Sequence, residues 1–104
     1  MEGLTITRSE QETRGGTQGE YRASLSDSDH TGYLSWVQHT GPAGPVRVAD
    51  HTVVPQAIGG RGVALELVKA LVADAREQGF KIDPQCSYVA AQFKCHPEWA
   101  DLHA

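Results

Sequence analysis

The chain has 104 residues, enough for one domain that buries a single core without staples. Thirteen acidic side chains against nine Lys and Arg leave a formal charge of −4, which lacks the basic excess a nucleic-acid binder uses to displace counterions. No run of about 20 apolar residues is present to span a bilayer. Met1 to Thr5 has neither the basic nor the apolar stretch of a secretory leader. Two cysteines, Cys86 and Cys95, do not make a disulfide framework. A reduced, cytoplasmic protein without membrane or nucleic-acid partners is expected.

Leu4 to Thr7 alternates and predicts a short edge strand. Arg8 to Gln18 is polar and holds Gly15-Gly16, which predicts a loop, so residues 1–19 are expected to be a partly mobile edge of the single domain 1–104. Tyr21 to Leu25 alternates apolar with polar, a half-buried strand. Ser26 to His30 is a turn cluster whose short side chains bond local backbone. Gly32 to Gln38 is aromatic and β-branched, a strand. Gly41 to Pro45 predicts a loop, since its prolines lack the donor a ladder needs. Val46 to Val54 is the next strand. Three such strands joined by short turns form an antiparallel meander.

The second half is helical in pattern. Val63, Leu67, Leu71 and Ala75 recur every fourth residue beside a row of Ala64, Val68 and Val72, giving one broad apolar stripe for packing on a sheet. Glu66, Lys69, Asp74 and Glu77 fall mainly outside that stripe. Gly79 suits the position after a helix end. Phe80 to Asp83 predicts a strand stopped by Pro84, and Ser87 to Lys94 a second, shorter helix. The strands before and after the long helix are expected to be parallel neighbours, because such crossovers are right-handed.

Gly59-Gly60-Arg61-Gly62-Val63-Ala64 stands where a strand gives way to a helix. The first N–H groups of a helix have no internal acceptor, and with the helix dipole they suit a pyrophosphate. Glycine lets backbone approach the ligand with no Cβ between them. Arg61 adds charge. Similar turns also enter helices with no ligand at all. A P-loop is excluded by the missing Gly-Lys-Ser/Thr. A dinucleotide fingerprint is excluded by Leu65 at its third glycine and by the antiparallel strands ahead of it. The pattern Gln/Arg-x-x-Gly-x-Gly/Ala of acetyl-CoA-binding N-acetyltransferases fits at Gly62 and Ala64, and departs from this sequence at Gly59, where Gln or Arg is usual.

On these residues the chain resembles the small, single-domain GNAT-like acetyltransferases. The resemblance runs from about Tyr21 to Leu102. Its specific parts are His51-Thr52-x-Val54-Pro55, the Gly60 to Ala64 turn, Pro84-x-Cys86, Tyr88-Val89 and His96-Pro97-Glu98. It implies an α+β, GNAT-like fold with a mostly antiparallel sheet, a β-α-β-α C-terminal half and splayed central strands. It implies acetyl-CoA in that splay, held by Val53, Val54, Gly60, Arg61, Gly62, Val63, Ala64 and Tyr88. Much of the acceptor apparatus of larger relatives is implied to be missing.

Two residues are candidates for chemistry. Cys86 precedes the second helix, whose dipole favours thiolate, and the resemblance places it near the acetyl group. A free cysteine there is also explained as a small buried apolar residue. His51 lies on the strand entering the glycine turn, where an imidazole can take a proton from an amine or thiol. A regular strand would turn Asp50 to the opposite face, and a histidine bonded within the sheet is the other reading. Cys95 and His96 with Cys86 are too few soft ligands for a closed zinc site, so no metal is expected. The expected function is acetyl-CoA-dependent acetylation of an amine, directly or through Cys86. The alternative is a non-catalytic CoA-binding or self-acetylating module.

Overall fold

The computed structural model describes residues 3–42 and 44–104. Met1, Glu2 and Ala43, the last within the expected loop 41–45, lie outside the described residues. Five strands form one sheet in the order β1-β2-β3-β4-β5: Leu4–Thr13, Gly16–Leu25, Thr31–Gly41, Gly44–Val53 and Lys81–Pro84. The first four run antiparallel and the fifth parallel to β4, so the sheet is mostly antiparallel, with helices, as expected for a GNAT-like α+β fold. The meander has four strands where the sequence pattern predicted three and an edge segment.

The segment Arg8 to Gln18 is not a loop. It is the distal half of a long hairpin, with Thr13 opposite Gly16 across the turn Arg14-Gly15. The Thr13 hydroxyl donates to the Gly16 carbonyl at 2.8 Å and accepts from the Gly15 N–H at 3.2 Å. Residues Thr7 to Gly15 are exposed, so no apolar face records the strand in the sequence. Pro45 likewise sits in a ladder, opposite Thr40, near the strand end that tolerates it.

Helix α1, Val63–Gln78, lies across β2 and β3 and buries Val63, Leu67, Val68, Leu71, Val72 and Ala75 against Tyr21, Ala23, Leu34 and Trp36. It ends at Gly79, whose φ of 82° is the left-handed conformation glycine reaches at no steric cost. Helix α2, Ser87–Cys95, and a 3-10 turn, Pro97–Leu102, close the end of the core with Val89, Phe93, Trp99 and Leu102. The chain terminus is stitched to the sheet by the Ala104 N–H on the Ile82 carbonyl at 2.8 Å.

Asp74 departs from its expected place outside the apolar stripe. It is 6% exposed, and Arg47 on β4 is 4% exposed. The Tyr21 hydroxyl joins them, accepting from Arg47 Nη1 and donating to Asp74 Oδ2, both at 2.8 Å. Arg8 closes the network with Nε on the same carboxylate oxygen at 2.8 Å. Buried charges persist when paired and hydrogen-bonded, and here each has a partner. Among the described residues no helix is long and apolar enough to cross a membrane.

Candidate functional site

Strand β4 outruns its parallel partner. Their pairing runs from Val46 opposite Lys81 to Ala49 opposite Pro84, and then stops. The Cys86 N–H makes the last tie, to the Ala49 carbonyl at 2.8 Å, before the chain turns into α2. From Asp50 to Val53 no β5 residue pairs with β4. β5 ends here, and beyond it a wedge is bounded by the unpaired β4 backbone on one side and the start of α2 on the other.

The glycine turn stands at the far end of β4. After Val54 and Pro55, a short 3-10 turn, Gln56–Ile58, buries Ile58 and so anchors the entry to the turn. Gly60 and Gly62 have φ of 75° and 79°, left-handed values that favour glycine. Both are exposed, and a Cβ added at Gly60 would meet nothing within 4 Å. The first N–H groups of α1, from Val63 onward, have no acceptor within the helix. Open approach, glycine backbone and orphan amides together fit a pyrophosphate. Val63 is buried in the core and Ala64 half-buried, so they offer backbone rather than side chain.

Arg61 does not stand free over the turn. Its guanidinium grips Asp27 of the β2–β3 turn, Nη1 to Oδ1 at 3.3 Å and Nη2 to Oδ2 at 3.2 Å. The Arg61 hydrogen bond and charge hold the Asp27 carboxyl below its usual range. Any contact of Arg61 with a phosphate competes with this pair.

Strand β4 carries a bulge that decides what faces the wedge. Ser35 opposes His51 while Trp36 opposes Ala49, so Asp50 is an extra residue. A regular strand would put Ala49 and His51 on one face. With Asp50 inserted, Ala49 stays with Trp36 on the helix-covered face, while His51 joins Ser35 on the open one. The Ser35 hydroxyl donates to Asp50 Oδ1 at 2.5 Å. Asp50 and His51 thus share the open face, and the expected division between them does not occur. His51 is exposed.

Thr52, next along, opposes Leu34 and returns to the helix-covered face. Its hydroxyl lies 3.5 Å from Cys86 Sγ. Burial pushes the Cys86 thiol up, but the Thr52 hydroxyl and the N–H groups of Val89, Tyr88 and Thr52 outweigh it, leaving the thiol below its ordinary value. Those amides act over a longer reach, for none closes a capping bond on the sulfur. Tyr88 is half-buried beside the core, and burial pushes its phenol up. Val53 is exposed and Val54 half-buried, at the end of the unpaired edge. Cys95 is exposed at the end of α2, and both cysteines are free.

A family model for GCN5-related N-acetyl-transferases matches residues 20–102. The chain belongs to this family. No curated relative matches it. The match covers β2 from Glu20, strands β3 to β5, both helices and the glycine turn, and leaves out β1. Of the sequence candidates, the GCN5-related fold gathers Val53, Val54, the Gly60 to Ala64 turn, Tyr88 and Cys86 around β4 and its continuation. It does not bring His51 and Cys86 together, since they lie on opposite faces of β4. Thr52 was missed because its orientation depends on a bulge that alternation alone does not reveal. A concavity of about 540 Å³, lined by residues including Glu20, Tyr33, Ser35 and Asp50, also opens on the sheet, away from Cys86. Among the described residues no group of three or more His, Cys, Asp or Glu could hold a metal.

Proposed function

We propose that the protein transfers an acetyl group from acetyl-CoA to an amine. The observation that carries this reading is the wedge itself, with the glycine turn beyond the unpaired edge of β4 and the Cys86 sulfur across from it. The amides around Gly60 to Ala64 bind the pyrophosphate, with charge stabilisation from the α1 dipole. The backbone near Val53 and Val54 aligns the pantetheine, and Tyr88 bounds it from α2. Acetyl-CoA brings an activated thioester, so the protein's task is mainly to position it and stabilise the developing charge. His51, on the open face, takes the proton of an amine arriving from that side.

A second reading is favoured by the environment of Cys86. A thiolate there attacks the thioester carbon, forming the Cys86–acetyl bond and breaking the bond to the CoA sulfur, which leaves as thiolate. An amine then takes the acetyl group, or the modified protein is itself the product. His51 has no part in ionising Cys86, because β4 stands between them.

The deciding experiment follows CoA release from acetyl-CoA with and without small primary amines, together with the intact mass of the protein. Sustained release that requires amine supports direct or relayed transfer. Release of one equivalent with an acetyl mass gain supports self-acetylation. No CoA binding and no release would remove both.

A further inference from the structure

We propose that Thr52 is the positioning residue of Cys86: its side-chain hydroxyl, turned onto the helix-covered face by the bulge at Asp50, holds the sulfur at the mouth of the wedge. The inference rests on the reading that Cys86 reacts with acyl groups, and it names the device that prepares it. Three observations meet here. The Cys86 N–H is fixed to the Ala49 carbonyl at 2.8 Å, so the backbone position of Cys86 is set by β4. Its carbonyl accepts the first α2 bond, from the Ala90 N–H at 3.0 Å, so the residue is locked from the helix side too. That leaves rotation of the side chain, and the Thr52 hydroxyl at 3.5 Å is the polar side chain bonded to the sulfur.

In the thiol the Cys86 S–H donates to the Thr52 hydroxyl oxygen, and once the sulfur ionises the hydroxyl turns to donate to it. A thiol is a weak acceptor and a thiolate a strong one, so the same contact favours ionisation and aims the ionised sulfur. No charged neighbour is needed. Asp50 and His51 on β4 belong to the opposite face by register. Asp83 on β5 is engaged by the Gln85 amide at 2.8 Å. Tyr88 on α2 stays protonated, because burial pushes it up. The lowered thiol agrees with this arrangement.

The test is the pH dependence of Cys86 alkylation by iodoacetamide, measured in a Cys95→Ser background because Cys95 is exposed. The parent protein should titrate below the ordinary thiol value of about 8.5. Thr52→Val keeps the shape and removes the donor. It should raise the midpoint by roughly one pH unit and slow alkylation about tenfold at a fixed pH below it. Thr52→Ser should restore both. An unchanged midpoint in folded Thr52→Val overturns the proposal. If Thr52→Val does not fold, the parent and Thr52→Ser decide: a shared low midpoint supports the proposal, and a parent midpoint at or above 8.5 overturns it. Alkylation needs no acetyl-CoA. A protein that fails to bind acetyl-CoA yet shows the shifted midpoint would refute the proposed function and leave Thr52 in its role.

Discussion

The guanidinium carbon of Arg47 lies 3.8 Å from the ring centre of Trp36, and the Phe80 ring sits 4.2 Å from that carbon. A charge in a nearly closed core is thus held by aromatic faces as well as by hydrogen bonds. Arg47 is on β4, four residues before His51, so its anchoring also fixes the strand that forms the wedge.

The Tyr21 hydroxyl is the joint of this network, and Tyr21→Phe removes it without changing the packing. Arg47 and Asp74 each lose one partner, which should cost about 1–3 kcal/mol in urea unfolding. The parent should show an alkaline sign of the same bond. Burial, and then the hydrogen bond to Asp74, push the folded Tyr21 phenol well above its unfolded value of about 10. Above that pH the unfolded state releases a proton that the folded state keeps. Stability is therefore full below about pH 10 and falls as pH rises beyond it. Tyr21→Phe should show a shallower fall, with a residual slope from Tyr88, whose phenol is raised as well.

Gly62 stands at φ 79° on the threshold of α1, where a side chain costs roughly 1–2 kcal/mol of strain. Gly62→Ala should fold with a lower Tm. Calorimetry should show weaker binding of CoA and unchanged binding of pantetheine, which carries no pyrophosphate. Equal losses for both ligands would place the glycine's role outside the phosphate site.

Acyl transfer to sulfur should select Cys86 over Cys95. Cys86 opens α2 and Cys95 ends it, where the dipole opposes a thiolate. Peptide mapping after exposure to acetyl-CoA should place any S-acetyl group on Cys86. Preferential labelling of Cys95 would contradict this.

His51→Ala removes an exposed side chain from the open face and should leave the Tm within about 0.5 kcal/mol of stability equivalent. If His51 serves the amine, turnover should fall roughly a hundredfold or more with CoA affinity retained. Cys86 alkylation should not change, since the two residues lie across the strand. Full turnover in His51→Ala would leave it without a chemical role.

The apolar rows of α1 and the glycines that bound it made the helix, its ends and the glycine turn before it legible in sequence. The parallel pairing of β4 with β5 followed from crossover handedness. Three features were not legible. Residues Arg8 to Thr13 form strand with no buried face, so backbone pairing alone sustains them and leaves no pattern. Asp74 looks like a solvated helix residue until its partners Tyr21, Arg47 and Arg8, all distant in sequence, are brought to it. The bulge at Asp50 is a mismatch of length between β3 and β4, which neither strand's composition expresses.

That bulge gives β4 a parity. Every residue from His51 to Val53 faces as it does because one residue upstream is counted on one strand and not on the other. Straightening the bulge with Asp50 still in the strand would be a frameshift in side-chain space: to keep the Ser35 pairing, the strand before it would have to turn over, withdrawing Arg47 from Trp36 and Phe80. To keep Arg47 in place, His51 would turn toward Cys86 and Thr52 away from it. The buried charge and the sulfur's hydroxyl partner are therefore joined by a counting rule, although no atom of one touches the other.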